Sequence, residues 1–538
     1  MKITLDLFEA NLKCATKCWL RSHGEAGSGN LYAEWVRSRT EAYRKEEAQR
    51  LLKTIPPSGR GSVTPVPNDF NAVGGWLAAD KTARVRVESW DIESCPQLVE
   101  HFPSRQREKP AEVIPIRFVF SNKLGRHDRL SLAYDAWVLS KVLKREIGAG
   151  KIVYGDGHAA LKVNTSHLAG EVWECILDIQ TLLTGQSPPD LVLNRHCAEC
   201  EFRNRCLERA RETDDLSLLT GMSKQERARH RSRGIFTVTQ LSYTFRPRRT
   251  PKRAKHPAKP HHFSLQALAI REKAIYIHGT PQLPDCQSRV YLDIEGLPDR
   301  DFYYLIGALV VTGEREAFHS FWADSKLEEA AIFTRFANLV SLLADFRVFH
   351  FGDYETAAIR RVSPRLPAGV REQFDAINQR STNVLSLVYP HVYFPTFSNS
   401  LKELARCLGD AAASPVASGL HSIIWRHEWE AERTDGHGRL AAVRRIRVGP
   451  FAGHDHGALG GANALVDFIE LISAHRDRVV GEGQFDRSGV RGNFHVHQQR
   501  IRQRAALLRS FQREENLRRP GEREASALIH TPILADWR

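Results

Sequence analysis

The segment RPRRTPKRAKHPAKP, residues 246–260, constrains the fold of this chain more than any other stretch. It carries seven Lys or Arg, four Pro and no acid. Each proline removes an amide donor and fixes φ, and the like charges repel, so neither a helix nor a central strand can pass through it. The 538 residues are therefore divided near residue 255, and at roughly 100–200 residues per domain they suggest three or four domains. The same run suits phosphate contacts, with Arg246, Arg248, Arg249, Lys252 and Arg253 as candidate nucleic-acid-binding residues. A formal charge of +14 at pH 7 points the whole chain toward a polyanionic partner.

Apolar residues at 42% exclude a disordered or collagenous chain. The most apolar run, Tyr303 to Val311, is far short of the ~20 residues a spanning helix needs. Asp6 and Glu9 stand where a secretory signal needs apolar residues. A cytoplasmic protein with no membrane partner is expected.

Patterning before the basic run predicts helices over 31–55 and 129–143. Strands are expected at VRVESWDI (85–92), VIPIRFVF (113–120) and KIVYG (151–155). Residues 214–245 read as two short helices about the turn RGIFTV, a pattern that loosely resembles a helix-hairpin-helix. After the run come strands RVYLDIEGL (289–297), FYYLIGALVV (302–311), EAFHSFWA (316–323) and FRVFHF (346–351), with a helix from Lys326. Strands followed by alternating helix and strand indicate an α/β domain. Residues 498–519 read as a basic amphipathic helix.

The nine cysteines are an odd number with no export signal, so a disulfide framework is not expected. Cys197, Cys200 and Cys206 form C-x2-C-x5-C, three thiolates within reach of one centre. A tetrahedral zinc or a cubane cluster needs a fourth ligand, for which Cys14 is the first candidate and Cys18 the second. Cys95, Cys175, Cys286 and Cys407 are isolated and read as structural.

An N-terminal cysteine in CATKCWL followed far downstream by C-x2-C-x5-C resembles the iron–sulfur RecB-type nucleases, including the CRISPR-associated adaptation nucleases and the AddB-like exonucleases. The resemblance implies a [4Fe–4S] cluster on Cys14, Cys197, Cys200 and Cys206. Such a core also needs an Asp and a Glu-x-Lys on successive strands to bind Mg²⁺ and steady the attacking water. Here IPIRFVF has no Glu-x-Lys. Glu88 or Asp91 is left as the acid, Lys123 as the lysine, and Leu130 to Tyr134 as a Q-x-x-x-Y helix motif without its Gln. The module is expected to keep its fold and cluster with a degenerate catalytic site.

In RVYLDIEGL, Asp293 and Glu295 lie two apart on an apolar strand and share one face. Two like charges there are expensive to bury without a cation between them. D-x-E on a first strand resembles the opening of DEDD exonucleases of the ribonuclease H-like superfamily, where carboxylates hold two divalent ions. LDIEGLPDRDFYYLIG, FHSFWAD, FRVFHFGDYETAAIRR and TNVLSLVYPHVYFPTFSNSLKELARCLG together resemble the YprB-like ribonuclease H domain. The whole chain is similar to the RecB-like nuclease family in which an iron–sulfur module precedes such a domain. The resemblance implies Asp293 and Glu295, then Asp353 or Glu355, as metal and catalytic acids. The last acid, normally in Y-N-x-x-D-C, is Asp455 in FAGHDHGAL, with Phe451 in place of the Tyr and His454 or His456 as substitutes.

The expected architecture is an α/β multidomain chain. A restriction-endonuclease-like α/β module with the cysteine cluster (1–212) leads into a helical connector with the basic linker (213–260). A ribonuclease H-like α/β domain (285–475) and a basic helical tail (476–538) complete it. The expected function is a metal-dependent nuclease, a DNA exonuclease using Mg²⁺ or Mn²⁺, with a helicase or repair partner. The competing reading is a nucleic-acid-binding accessory protein whose sites have decayed, and RNA processing is a third. The chain has no G-x-x-x-x-G-K-[ST] loop for ATP hydrolysis.

Overall fold

The computed structural model describes residues 1–27, 29–53, 76–79, 82–102, 112–246, 261–277, 283–408 and 419–434. It divides into two units, Met1–Leu218 with Leu297–Asp301, and Leu219–Gly296 with the described residues from Phe302 onward. Among the described residues no helix is long and apolar enough to cross a membrane.

The first unit opens with strand β1 (Lys2–Thr4), from which Thr4 caps helix Leu5–Lys13 by accepting from the Leu7 amide at 3.4 Å. Cys14 is extended and breaks that helix from the next, Ala15–Ser22. A long helix, Leu31–Lys53, precedes β2 (Trp76–Ala79), β3 (Ala83–Val87), β4 (Trp90–Ser94), β5 (Leu98–Phe102) and β6 (Glu112–Val119). Helix Arg126–Leu143 then leads to β7 (Ala149–Tyr154) and β8 (Ala159–Asn164). The strands form one sheet ordered β1-β4-β3 and another ordered β2-β5-β6-β7-β8.

The β6–β7 pair is parallel, which requires a crossover, and the Arg126–Leu143 helix supplies it. Its Tyr134 is fully buried, with the hydroxyl 3.2 Å from the Ile3 carbonyl and 2.9 Å from that of Glu93. One side chain thus ties β1 and β4 to the helix. The single strand expected over 85–92 is instead the β3–β4 hairpin, because Glu88 turns the chain with φ of +56°.

The second unit contains β9 (Tyr276–Ile277), β10 (Ser288–Leu297), β11 (Phe302–Thr312), β12 (Arg315–Trp322), β13 (Phe346–His350), β14 (Ser381–Asn383) and β15 (Val392–Tyr393). Its main sheet is ordered β12-β11-β10-β13-β14, with β10 and β13 parallel. Every residue of β11 but the last is buried, as its unbroken apolar sequence demands of an interior strand. Helices Glu329–Ser341, Tyr354–Val362 and Ala368–Gln379 connect the later strands, while β9 and β15 form a separate pair.

The connector expected over 213–260 is not a free-standing element. Helices Lys224–Arg231 and Val238–Ser242 form, with Gly234 turning between them at φ of +76°, but they fold as part of the second unit. The Thr220 amide donates to the Phe397 carbonyl at 2.9 Å, and Arg271 both donates to Ser242 at 2.9 Å and covers the Tyr243 ring. These contacts group the described residues from Leu219 onward with the second unit.

Helix Gly419–Thr434 is fixed by Arg426, whose guanidinium lies 4.3 to 5.1 Å from the ring centroids of Phe302, Tyr304, Trp322 and Trp429. It donates to the carbonyls of Ala323 (3.0 Å) and Asp324 (2.7 Å) and to Glu430 (2.8 Å). A buried cation is tolerated because it is paired, hydrogen-bonded and ring-stacked at once. Arg426→Ala is expected to cost on the order of 3 kcal/mol in denaturant melts, since acceptors and rings are left unpartnered. Arg426→Lys should recover little, because an ammonium matches neither the fork of acceptors nor the stacked rings.

Candidate nuclease site and cysteine pocket

The strand β10 carries Asp293 and Glu295 toward its C-terminal end, with Ile294 buried on the opposite face. Because β13 runs parallel beside it, with Tyr291 opposite Phe349, the residues just after β13 emerge next to those acids. Glu355, in the first turn of helix Tyr354–Val362, is one of them and is only 5% exposed. Its Oε2 is buried without a hydrogen bond. His350 Nδ1 lies 3.7 Å away but is engaged with the Gly352 carbonyl at 2.8 Å. Asp353 caps the same helix, is exposed, and accepts from Asn383 at 3.0 Å. Of the two alternatives for the second acid, Glu355 joins the strand pair and Asp353 does not.

Burial pushes the Asp293 carboxyl well above its ordinary value, and the charges of Glu295 and Glu355 push it further. Burial also raises Glu295, against the Ser422 hydroxyl, which donates to its Oε2 at 2.9 Å, and against the nearby Lys402 ammonium. Burial in turn lowers Lys402. Among the described residues, three acids thus face the Lys402 ammonium, a net negative field lined by hard oxygen acceptors. Such a donor set suits a divalent ion such as Mg²⁺, and the orphaned Glu355 oxygen fits that use. The acids are grouped rather than closed: among the described residues no three His, Cys, Asp or Glu side chains already converge on one ion position.

The motif pattern missed Ser422, Lys402 and Tyr354. Lys402 sits within the quoted SNSLKELARCLG, but only the fold brings its helix, Leu401–Leu408, to the acids. Gly296, following Glu295, had a readable signal. A Cβ there would stand 2.7 Å from the Phe302 carbonyl and 2.9 Å from the Tyr354 hydroxyl, so the position admits only glycine. Asp455, with Phe451, His454 and His456, lies outside the described residues. So do Arg248, Arg249, Lys252, Arg253 and the 498–519 segment, while Arg246 is exposed where the described chain stops.

In the first unit, Cys14, Cys197, Cys200 and Cys206 line one pocket together with Lys17, His196, Arg203 and the 191–194 backbone. Asn30 Nδ2 holds the cysteine loop at the Ala198 and Cys200 carbonyls, 3.0 Å each. Burial and the three neighbouring thiols push Cys206 up to about 11. Beside them Glu201 binds Lys17 at 2.8 Å and Arg21 at 2.6 Å. Burial alone would raise that carboxyl, yet these cations hold it at about 2. Cys18 takes no part: it is fully buried in the hydrophobic core with Phe8, Tyr134 and Ile176.

Among the described residues, the candidates for the first unit's acid and lysine do not form a buried pair. Glu88 is in the hairpin turn, and Asp91 and Lys123 are exposed. On β6 the buried side chain is instead Arg117, paired with Glu9 and 3.9 Å from Asp135. Burial raises Asp135 to about 6 against the pull of Arg117 and a hydrogen bond from Ser94. A guanidinium at this place repels cations.

The raised carboxyls of the second unit dictate a stability test. Their folded values exceed the ordinary 3.8 and 4.5, so ionising them opposes folding, and the penalty is absent at low pH and grows as pH rises through the folded values. With chelator at pH 7, Asp293→Asn should melt above wild type by roughly 2–4 °C, the shift that 1 kcal/mol gives in a unit of this size. Lowering the pH toward 4 or adding Mg²⁺ should close the gap. A variant that melts below wild type under chelation would show that the acids do not repel.

Residues 290–440 match the RNase_H_2 family of the RNase_H superfamily. No curated protein matches the chain. A solved chain described as "Crystal structure of SSO0001" shares 15% identity over 37% of this chain and 83% of that one, with a TM-score of 0.24, which carries no argument. RNase H-like nucleases generally use divalent metals such as Mg²⁺, and their fold implies nucleic-acid binding. Residues 290–440 are thus an RNase H-like domain, and its function is of the nuclease type, in nucleic-acid processing.

Proposed function

We propose that the chain is a metal-dependent DNA exonuclease whose chemistry resides in the second unit. The observation that carries this reading is the uncompensated group Asp293, Glu295 and Glu355 at the ends of two adjacent parallel strands. With divalent ions bound, those carboxylates would be the ligands, and the ions would supply an activated water and charge stabilisation for the leaving oxygen. The chain's own residues hold the acids in place: Ser422 orients Glu295, Lys402 tempers the field, and the apolar strand fixes the spacing. Asp455 completes the proposed set, and the basic run with Arg246, Arg248, Arg249, Lys252 and Arg253 is proposed to track backbone phosphates.

For the first unit we propose a restriction-endonuclease-like module that binds but does not cut. Arg117 beside Asp135 supports this, because a buried guanidinium occupies the strand from which a carboxylate would hold metal. A [4Fe–4S] cluster on Cys14, Cys197, Cys200 and Cys206 is the proposed clasp. The shared pocket and the ring of Lys17, Arg203 and His196 around it favour an anionic group there. A helicase or repair factor is the proposed partner.

Two experiments test these readings. Labelled single- and double-stranded DNA and RNA are incubated with the full chain and Mg²⁺ or Mn²⁺. Asp293→Asn and Glu295→Gln should abolish degradation, whereas Asp91→Asn should stay within about twofold of wild type. Loss in Asp91→Asn alone would move the chemistry to the first unit, and an inert wild type would leave the accessory reading. Separately, protein purified without oxygen should be brown, with iron and sulfide in near-equal amounts. Cys14→Ser and Cys197→Ser should bleach it, while Cys18→Ala should lose stability but keep colour. Colourless protein carrying one zinc would overturn the cluster.

A further inference from the structure

Tyr354 opens the helix that presents Glu355, yet its ring is not absorbed into the core: it is 39% exposed. Two contacts fix it. Tyr303 packs edge-on against it with ring centroids 6.0 Å apart. On the other side its hydroxyl rests 2.9 Å from where a Cβ of Gly296 would stand, directly after Glu295. The phenol is therefore held at the border of all three acids, and no described residue accepts its proton. A fixed donor with no acceptor among the described residues, at the edge of a group of acids, leaves its hydrogen bond for something that enters the cleft.

We propose that the Tyr354 hydroxyl contacts substrate, donating a hydrogen bond to a non-bridging phosphate oxygen of a nucleotide bound at the acids. The proposal rests on the nuclease reading and adds to it a residue for ground-state phosphate recognition. With divalent ions held by the carboxylates, a phosphate oxygen at the acids would lie beside the Tyr354 hydroxyl, a neutral donor.

The test removes one oxygen. Thymidine 5′-monophosphate is titrated into the full chain with Ca²⁺, which supports binding without turnover. Tyr354→Phe should bind about tenfold more weakly, the effect of losing one hydrogen bond to a charged acceptor. With Mg²⁺, its degradation of single-stranded DNA should fall by at least the same factor. Its melting temperature under chelation should match wild type, because the ring and its packing on Tyr303 remain; a large drop there would identify a structural role and overturn the proposal. Undiminished binding and turnover in Tyr354→Phe, with binding lost in Glu355→Gln, would overturn the proposal alone. A wild type that binds no nucleotide would overturn it together with the nuclease reading.

Discussion

Repulsion among Asp293, Glu295 and Glu355 is the constraint around which the second unit is arranged. Burial and the charges of Glu295 and Glu355 push Asp293 toward protonation, and an apolar protein interior has few ways to tolerate that. This unit uses rigidity. The acids sit on, or one turn beyond, two hydrogen-bonded parallel strands, so they cannot relax apart. The buried strand β11 stiffens the same sheet from the other side. A site so held is costly when empty and correspondingly prepared for positive charge, a frequent exchange of stability for function.

The first unit resolves its buried charges the opposite way. Asp135 has Arg117 and Ser94 beside it, and Arg117 has Glu9. The charges are internal and paired with one another, although the Arg117 Nε and Nη1 are buried without a hydrogen bond, and a buried guanidinium suits a scaffold and not a metal site. Its open question of charge lies at the cysteine pocket instead. There Lys17 and Arg21 are bound to Glu201, and burial raises the thiols of Cys197, Cys200 and Cys206.

What could be read from residues alone was the part set by local pattern. The apolar run of β11, the D-x-E spacing on β10 and the helix ending at Leu143 each follow from periodicity within a few residues. The choice between Cys14 and Cys18 did not, because it depends on helix phase: Cys14 breaks two helices and faces the pocket, while Cys18, one turn later, faces Phe8. Glu88 and Ser89 carry no strong turn signature, so the β3–β4 hairpin read as one strand. Ser422 reaches Glu295 across 127 residues, a pairing that only tertiary packing creates. The affiliation of the helical pair at 224–242 was equally invisible, since it rests on contacts such as Thr220 with Phe397.

The aromatic box around Arg426 carries a consequence for the order in which this protein comes into being. Phe302, Tyr304 and Trp322 emerge from the ribosome more than a hundred residues before the Arg426 and Trp429 that complete the box. Until their helix arrives, the rings remain a wet apolar face and Glu295 lacks its Ser422 partner. A nascent chain therefore carries its acids long before it carries the element that finishes their surroundings. The cleft is thus immature through most of synthesis and is completed only when the Gly419–Thr434 helix has emerged.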